Sequence, residues 1–246
     1  MASRHISVLD EKESPWHIFF REYFEDTPSS VVDSVYETRG AAHFFDRKRV
    51  LDVAFVNEAL VSLPLAQAIK VHRQTVPSFR LFQIGRALGK FQLAFDGAWT
   101  EPPSLTQFQR ELVQRLPLPE KVSVLVVDDE PEIGTMIRDY LDGRRDPAFV
   151  VMQAENGRRA LDFLRDQRPD VIVLDIKMPE MRGDEFYKEI KRLGLGIPVI
   201  VFFDAISFDE MAEIKKAGQP AVVEKGGHES AMPEMMALIK KMVYFG

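Results

Sequence analysis

The second half of the chain alternates between short apolar, β-branched runs and segments with helical periodicity. The apolar runs lie at 122–127, 149–154, 171–174, 199–203 and 221–223, and the helical segments at 131–141, 157–167, 183–192, 208–217 and 229–243. Continuous apolar runs are typical of strands that are buried on both faces of a parallel sheet. Five such strands alternating with five helices predict an open, doubly wound α/β sheet with helices on both faces.

Two prolines, Pro117 and Pro119, stand near the middle of the 246-residue chain. Prolines so close together favour a short, extended connector. We therefore predict two domains, residues 1–116 and 121–246, joined by a linker at 117–120. The two halves also differ in net charge. Residues 1–119 carry 14 basic and 14 acidic side chains and are neutral overall, whereas residues 120–246 carry 18 basic and 24 acidic side chains and hold the whole net charge of −6.

Composition excludes several classes of site. The chain has no cysteine, so disulfides, thiolate metal sites and cysteine nucleophiles are ruled out. No apolar run approaches the roughly 18 residues that a membrane span requires. The net charge of −6 argues against nucleic acid as the main partner. We expect a cytoplasmic protein that binds neither membrane nor nucleic acid.

Charged residues stand where three of the predicted strands end. Asp128 and Asp129 follow the first strand, Asp175 follows the third, and Lys225 follows the fifth. Strands one and three are neighbours in the common five-stranded order, so three carboxylates converge at one edge of the sheet. Clustered carboxylates repel one another unless a cation lies among them, and an all-oxygen ligand set suits Mg²⁺. A carboxylate is also a nucleophile toward phosphorus.

The segments VLVVDDEPEI, VIVLDIKMPEMRGDEF and AVVEK occur in this order and at appropriate distances. With them, residues 120–246 resemble the receiver domain of bacterial two-component response regulators. The resemblance implies that Asp175 is the phosphoacceptor, that Asp129 binds Mg²⁺ directly and that Asp128 binds it through water. It further implies that Asp175 and the backbone carbonyl of Lys177 also contact the metal, and that Lys225 contacts the phosphoryl group. The donor would be a phosphohistidine on a histidine kinase or phosphotransfer protein.

Two positions depart from the receiver pattern. Receivers carry Ser or Thr at the end of the fourth strand, where counting from Pro198 gives Phe203 and counting back from Ala205 gives Asp204. Receivers also usually carry an aromatic residue three positions before the final lysine, where this chain has Val222. The usual hydroxyl–aromatic switch is therefore predicted to be absent.

The first half is similar to a second, altered receiver. A shift of 118 positions superposes the acidic pair on Asp10 and Glu11 and the acceptor on Asn57. With a larger shift the final lysine falls on Asp96, after a predicted strand at Phe91–Phe95. The stretch before that strand is too short for a normal fourth helix. We predict that residues 1–116 form a pseudo-receiver, a second flavodoxin-like (βα)₅ domain that lacks the phosphoacceptor.

Three functions are compatible with these residues. The leading hypothesis is a response regulator without a DNA-binding or enzymatic output domain, which is phosphorylated on Asp175 and signals by contact with a downstream protein. In it the pseudo-receiver serves interaction or dimerisation, which makes a homodimer a further expectation. The second hypothesis is a scaffold of two receiver-like domains that works without phosphorylation. The third, ranked last, is a Mg²⁺-dependent phosphohydrolase with Asp175 as its nucleophile.

Overall fold

The computed structural model describes residues 4–25, 31–35, 50–145, 147–205, 207–218, 220–226 and 228–245, with the segments 31–35 and 228–230 described by their backbone. The chain divides into two compact units, a first unit at Ala2–Pro117 and a second unit at Leu118–Tyr244. None of the helices in these described ranges is long and apolar enough to span a membrane.

The first unit is built on a five-stranded parallel sheet. Its strands are β1 (His5–Leu9), β2 (Val31–Val35), β3 (Val53–Asn57), β4 (Arg80–Ile84) and β5 (Gly97–Trp99). Its described helices are α1 (Pro15–Tyr23), α2 (Leu63–Thr75) and α3 (Leu105–Val113), with a short 3-10 turn at Glu58–Leu60. The strand order is β2-β1-β3-β4-β5, and every pairing is parallel.

Helices of the first unit pack on both faces of its sheet. On one face an aromatic cluster joins α1, α3 and the sheet, and the fully buried Phe108 lies 4.9 Å from Phe19 and 4.6 Å from Trp99 between ring centroids. On the other face Leu65 and Ile69 of α2 pack with apolar strand residues. The arrangement agrees with the predicted α/β class.

The predicted fifth strand of the first unit at Phe91–Phe95 is wrong, because the structure has β5 at Gly97–Trp99. The misleading signal is an alternation of apolar and polar residues. Phe91, Leu93 and Phe95 do face the core, where they pack partly buried against the cluster around α2. They do so from an irregular segment, since residues 85–96 contain neither helix nor strand.

The second unit alternates strands and helices as predicted. Its strands are β6 (Lys121–Val127), β7 (Ala148–Ala154), β8 (Val171–Leu174), β9 (Val199–Phe203) and β10 (Ala221–Glu224). Its helices are α4 (Pro131–Leu141), α5 (Gly157–Asp166), α6 (Gly183–Arg192), α7 (Phe208–Ala217) and α8 (His228–Phe245). The strand order β10-β9-β8-β6-β7 is the same as in the first unit, and all pairings are parallel.

Two apolar clusters cover the two faces of the second sheet. One contains residues of α4 and α8, among them Ile137 and Ile239. The other contains residues of α5, α6 and α7, among them Phe186 and Ile214. Helices on both faces of a parallel sheet confirm the predicted doubly wound fold.

Candidate functional site

Strand register brings two aspartates side by side in the second unit. Val127, the last residue of β6, is the register partner of Leu174, the last residue of β8. Asp128 and Asp175 are therefore neighbours at the carboxyl edge of the sheet. Backbone hydrogen bonds continue the strand pairing at both residues. The N–H of Asp128 donates to the carbonyl of Ala154 at 3.0 Å, and the N–H of Asp175 donates to the carbonyl of Val127 at 2.9 Å.

Lys225 reaches this pair of carboxylates from the strand β10. Its backbone N–H donates to the carbonyl of Phe203 at 2.7 Å, which fixes the residue at the end of the strand. Its Nζ donates to Asp128 Oδ2 at 3.0 Å and to Asp175 Oδ1 at 2.8 Å. All three residues are buried, with exposed fractions of 8%, 7% and 3% for Asp128, Asp175 and Lys225.

Backbone donors hold the remaining carboxylate oxygens. The N–H of Glu130 donates to Asp128 Oδ1 at 2.9 Å, and the N–H of Lys177 donates to Asp175 Oδ2 at 2.6 Å. Each of the four carboxylate oxygens thus has a donor within hydrogen-bond distance. Both carboxylates are consequently held in fixed orientations before any ligand arrives.

Burial and pairing act in opposite directions on the ionisation of this site. Burial raises the pKa of the Asp128 carboxyl above its ordinary value, although the Glu130 N–H and Lys225 lower it. Burial lowers the pKa of Lys225, but hydrogen bonds to Asp175 and Asp128 outweigh it and raise that pKa overall. Lys225 therefore stays cationic, and its charge only partly balances two neighbouring carboxylates.

The other predicted metal ligands are more exposed. Asp129 and the Lys177 side chain are solvent-exposed, and only the Lys177 N–H has a defined contact with the aspartates. Within the described residues, no three His, Cys, Asp or Glu side chains are gathered as they would be around a metal ion. The structure thus brings together Asp128, Asp175 and Lys225, whereas the roles in metal binding stay predictions.

The two departures from the receiver pattern are visible in the structure. Phe203 is the last residue of β9 and packs, partly buried, against the apolar cluster of α5, α6 and α7. Asp204 lies beyond the strand and is exposed, so the end of the fourth strand is occupied by the phenyl ring. Val222 of β10 is 39% exposed. The end of the fourth strand therefore lacks the hydroxyl of the usual switch, and position 222 lacks its aromatic ring.

Residues 124–237 match the family model of the response regulator receiver domain. The second unit is a response regulator receiver domain. Such domains generally bind Mg²⁺ at the phosphorylation site, and they imply a histidine kinase or phosphotransfer partner in general.

The curated relatives share this receiver domain over part of their length. A protein-glutamate methylesterase/protein-glutamine glutaminase of Clostridium acetobutylicum is 45% identical over 83 residues, which are 34% of this chain and 24% of that protein. The probable transcriptional regulatory protein TcrX of Mycobacterium tuberculosis is 32% identical over 124 residues, 50% of this chain and 51% of that protein. The chain therefore spans about a quarter to half of the length of these two relatives.

Solved structures that are similar to this chain are also receivers. The chemotaxis protein CheY4 of Vibrio cholerae is 27% identical, with a TM-score of 0.44, and the match covers 50% of this chain and 98% of that one. The response regulator domain of Thermotoga maritima CheB is 25% identical, with a TM-score of 0.44, and covers 50% of this chain and 96% of that one.

The first unit has a related pair of residues at the same place in its sheet. Leu9 is the register partner of Val56, so Asp10, which follows β1, and Asn57, the last residue of β3, are neighbours, as Asp128 and Asp175 are in the receiver domain. The Asn57 Nδ2 donates to Asp10 Oδ1 at 2.8 Å, and Asp10 is buried, with 2% exposed. In the first unit the Asp10 carboxylate thus accepts a hydrogen bond from a neutral amide. In the receiver domain the corresponding Asp128 carboxylate accepts one from the charged Lys225 ammonium.

The prediction that Asp96 takes the place of the lysine is wrong. Asp96 precedes β5, whereas the receiver-domain lysine follows the last strand. Its carboxylate accepts hydrogen bonds from Arg73 at 2.7 Å and from the N–H of Leu81 at 2.8 Å. Asp96 therefore belongs to the amino-terminal edge of the sheet, opposite Asp10 and Asn57.

Two features near these edges have no counterpart among the predictions from the sequence. In the receiver domain, Arg182 donates to Asp184 and to Glu210, and so connects α6 with α7. In the first unit, the carboxylate of Glu58 accepts the N–H groups of three consecutive residues, 88–90. Arg182 and Glu210, and Glu58 and its three donors, are about 30 residues apart along the chain and follow no periodicity, so no sequence signal marks these contacts.

Proposed function

We propose that the chain is a two-component signalling protein whose receiver domain accepts a phosphoryl group on Asp175 from a phosphohistidine of a histidine kinase or phosphotransfer protein. One observation carries the proposal: Asp175 is buried at the carboxyl edge of the sheet, with Lys225 Nζ 2.8 Å from one carboxylate oxygen and the N–H of Lys177 2.6 Å from the other. The test is phosphate incorporation in the presence of Mg²⁺, compared between the wild type and Asp175→Asn.

The proposed transfer needs few groups. A carboxylate oxygen of Asp175 forms a bond to phosphorus while the bond from phosphorus to the histidine nitrogen breaks, and the imidazole nitrogen keeps the electron pair of that bond. The N–H of Lys177 and the ammonium of Lys225 orient the carboxylate for attack. Lys225 then lies within reach of the phosphoryl oxygens, and its positive charge offsets their negative charge.

The donor set suits Mg²⁺. It contains oxygen ligands only, and Mg²⁺ is usually bound through one or two carboxylates, several waters and the oxygens of a phosphate. We propose that Asp175, Asp129 and the backbone carbonyl of Lys177 hold the metal directly, and that Asp128 holds it through water. When bound, the ion supplies positive charge against the developing charge of the phosphoryl oxygens.

The first unit is proposed to be a pseudo-receiver that serves as an interaction or dimerisation module. The support is its sheet, which has the strand order of the receiver domain, and the shared register of Asp10 with Asn57. Asn57 carries an amide, which is not a nucleophile toward phosphorus as a carboxylate is. We further propose that the chain itself is not an enzyme and that its output is contact with a downstream protein.

A scaffold that works without phosphorylation is the second candidate. It is favoured by Phe203 at the end of β9 and by Val222 of β10, since these residues replace the side chains that usually read out phosphorylation. This candidate requires that Asp175→Asn leaves partner binding unchanged. The proposed phosphoacceptor requires that the same substitution alters it.

Replacing Asn57 by aspartate is expected to destabilise the first unit without creating a phosphoacceptor. The new carboxylate at position 57 would then lie next to the buried carboxylate of Asp10. Repulsion between the two raises the pKa of the pair in the folded state. The folded unit would bind protons that the unfolded chain releases, so stability falls as pH rises through that raised pKa. We expect a loss of about 1–2 kcal/mol at pH 7 and little loss below about pH 4.

Tryptophan fluorescence during urea unfolding measures this effect, because both tryptophans of the chain, Trp16 and Trp99, belong to the first unit. The control exchanges the two groups in the double variant Asp10→Asn/Asn57→Asp, which keeps one amide and one carboxylate and should recover most of the stability. A loss that is the same at pH 4 and pH 7 would refute the electrostatic cause.

A further inference from the structure

The segment that follows Asp175 is bound closely to the acceptor. The N–H of Lys177 donates to the Asp175 carboxylate, and the N–H of Gly183 donates to the carbonyl of Ile176 at 3.0 Å. A Cβ added to Gly183 would lie 2.0 Å from the backbone carbonyl oxygen of Asp175. The first turn of α6 therefore rests directly on the acceptor backbone, and a shift of one requires a shift of the other.

Arg182, the residue before α6, connects this segment to the neighbouring helix α7. Its Nε donates to Asp184 Oδ1 at 3.1 Å, and its Nη2 donates to Glu210 Oε1 at 2.7 Å. The guanidinium thus joins the starts of two helices through separate nitrogens. The side chains of Asp184 and Glu210 are 19% and 27% exposed, and that of Arg182 is 45% exposed. Because water screens ion pairs at such exposed positions, each contact alone contributes little to stability.

Glu210 in turn fixes the start of α7. Its Oε2 accepts hydrogen bonds from the N–H of Ser207 at 3.0 Å and from its Oγ at 2.9 Å, while the Glu210 N–H donates back to Ser207 Oγ at 3.2 Å. The Ser207 N–H, followed by Arg182, lowers the pKa of Glu210 to about 2. One oxygen of Glu210 therefore holds the helix start and the other holds Arg182.

The first residue of α7 has little other support. Phe208 is 88% exposed, and Ile214 is the buried residue of this helix. The first turn is therefore held mainly by its own cap and by the ion pair with Arg182. Arg182 therefore binds a turn of α7 that few buried side chains hold in place.

We propose that Arg182 is a positioning residue that transmits the state of Asp175 to the first turn of α7, in place of the hydroxyl–aromatic switch that this receiver domain lacks. The inference rests on the proposed function, because it requires a phosphoryl group on Asp175. That group takes over an oxygen to which the N–H of Lys177 or the ammonium of Lys225 now donates. The segment from residue 175 to residue 183 adjusts, and Arg182 carries the adjustment to Glu210.

Hydrogen exchange of the full chain with and without beryllofluoride and Mg²⁺ tests this coupling. Beryllofluoride mimics the phosphoryl group, and ¹⁹F resonances report its binding separately. We expect binding to change the exchange rates of peptides that cover residues 207–214 by about threefold or more in the wild type. In Arg182→Met this change should disappear, whereas beryllofluoride should still bind.

Lys188→Met is the matched control. Lys188 of α6 also joins that helix to α7, through Glu213 at 3.7 Å, and it pairs with Asp184 of its own helix at 3.6 Å, but it makes no described contact with the 175–183 segment. This variant should keep the exchange response of the wild type. Glu210→Gln, which keeps an acceptor for Ser207 but removes the charge that faces Arg182, should lose the response as Arg182→Met does.

The outcomes separate the two proposals. If beryllofluoride binds and the response persists in both Arg182→Met and Glu210→Gln, the role of Arg182 is refuted and the phosphoacceptor stands. An equal loss in Lys188→Met also refutes it, since general helix packing would then be the cause. If beryllofluoride does not bind the wild type, the proposed function itself fails, and the inference fails with it.

Discussion

Asp175→Asn is expected to reduce phosphate incorporation from acetyl phosphate and Mg²⁺ by at least about 100-fold, because the amide lacks the nucleophilic oxygen that the reaction needs. The substitution keeps the size of the side chain and one acceptor oxygen. Lys225 and the N–H of Lys177 now bind different oxygens of that carboxylate, at 2.8 Å and 2.6 Å, so one of these donors keeps its acceptor in the variant and the other loses it. The measurement is the mobility shift of the phosphorylated chain on a phosphate-affinity gel.

Asp162→Asn is the matched control for this experiment. Asp162 is an aspartate of the same receiver domain, it is 49% exposed on α5, and it pairs only with its neighbour Arg165 among the described side chains. Its substitution should leave the mobility shift unchanged. A shift that survives in Asp175→Asn, or a wild type that never shifts, contradicts the assignment of the acceptor.

Glu58→Ala is expected to destabilise the first unit by about 3 kcal/mol, because it removes a buried carboxylate that holds a whole loop. Glu58 is 1% exposed, and it accepts the N–H groups of Leu88 at 2.6 Å, Gly89 at 2.8 Å and Lys90 at 2.9 Å. Burial opposes its ionisation, but the backbone donors outweigh that effect and lower the pKa of Glu58. Hydrogen bonds to a charged group are worth about 1.5–3 kcal/mol each and are not additive.

Urea unfolding followed by tryptophan fluorescence measures this loss, since the signal comes from the first unit. Glu58→Gln, which keeps an acceptor oxygen without the charge, should lose less stability than Glu58→Ala. Glu101→Ala, at an exposed glutamate of the same unit, should lose almost none. Because the lowered pKa favours the ionised form in the folded state, the contribution of Glu58 is present above about pH 4.3 and is lost as pH falls further. Equal stability of the Glu58 and Glu101 variants would refute this role.

The sequence predicted most of the receiver domain because its information there is local and repeated. Strands buried on both faces must be apolar throughout, so each appears as a short run, and the helices between them have their own period. The same regularity places strand-end residues at one edge of the sheet, which is why the pattern alone predicts that Asp128, Asp175 and Lys225 meet.

The sequence could not predict contacts that have no period. The loop that Glu58 holds includes Gly89 at a φ of +64°, a conformation that glycine adopts readily, but nothing in the sequence links that glycine to a glutamate 31 residues earlier. The misplaced fifth strand has the opposite cause. At Phe91–Phe95 the alternation is real and faces a core, yet the backbone does not pair with the sheet, so side-chain periodicity alone gave the wrong element.

The central claim is that Asp175 carries the phosphoryl group. Borohydride reduces an aspartyl phosphate to homoserine, so peptide mass spectrometry of the full chain, after treatment with acetyl phosphate and Mg²⁺, locates the acceptor residue directly. The structure predicts homoserine at position 175 and unmodified aspartate at positions 10, 128 and 129. Homoserine at one of those three positions, with position 175 unmodified, would contradict the account.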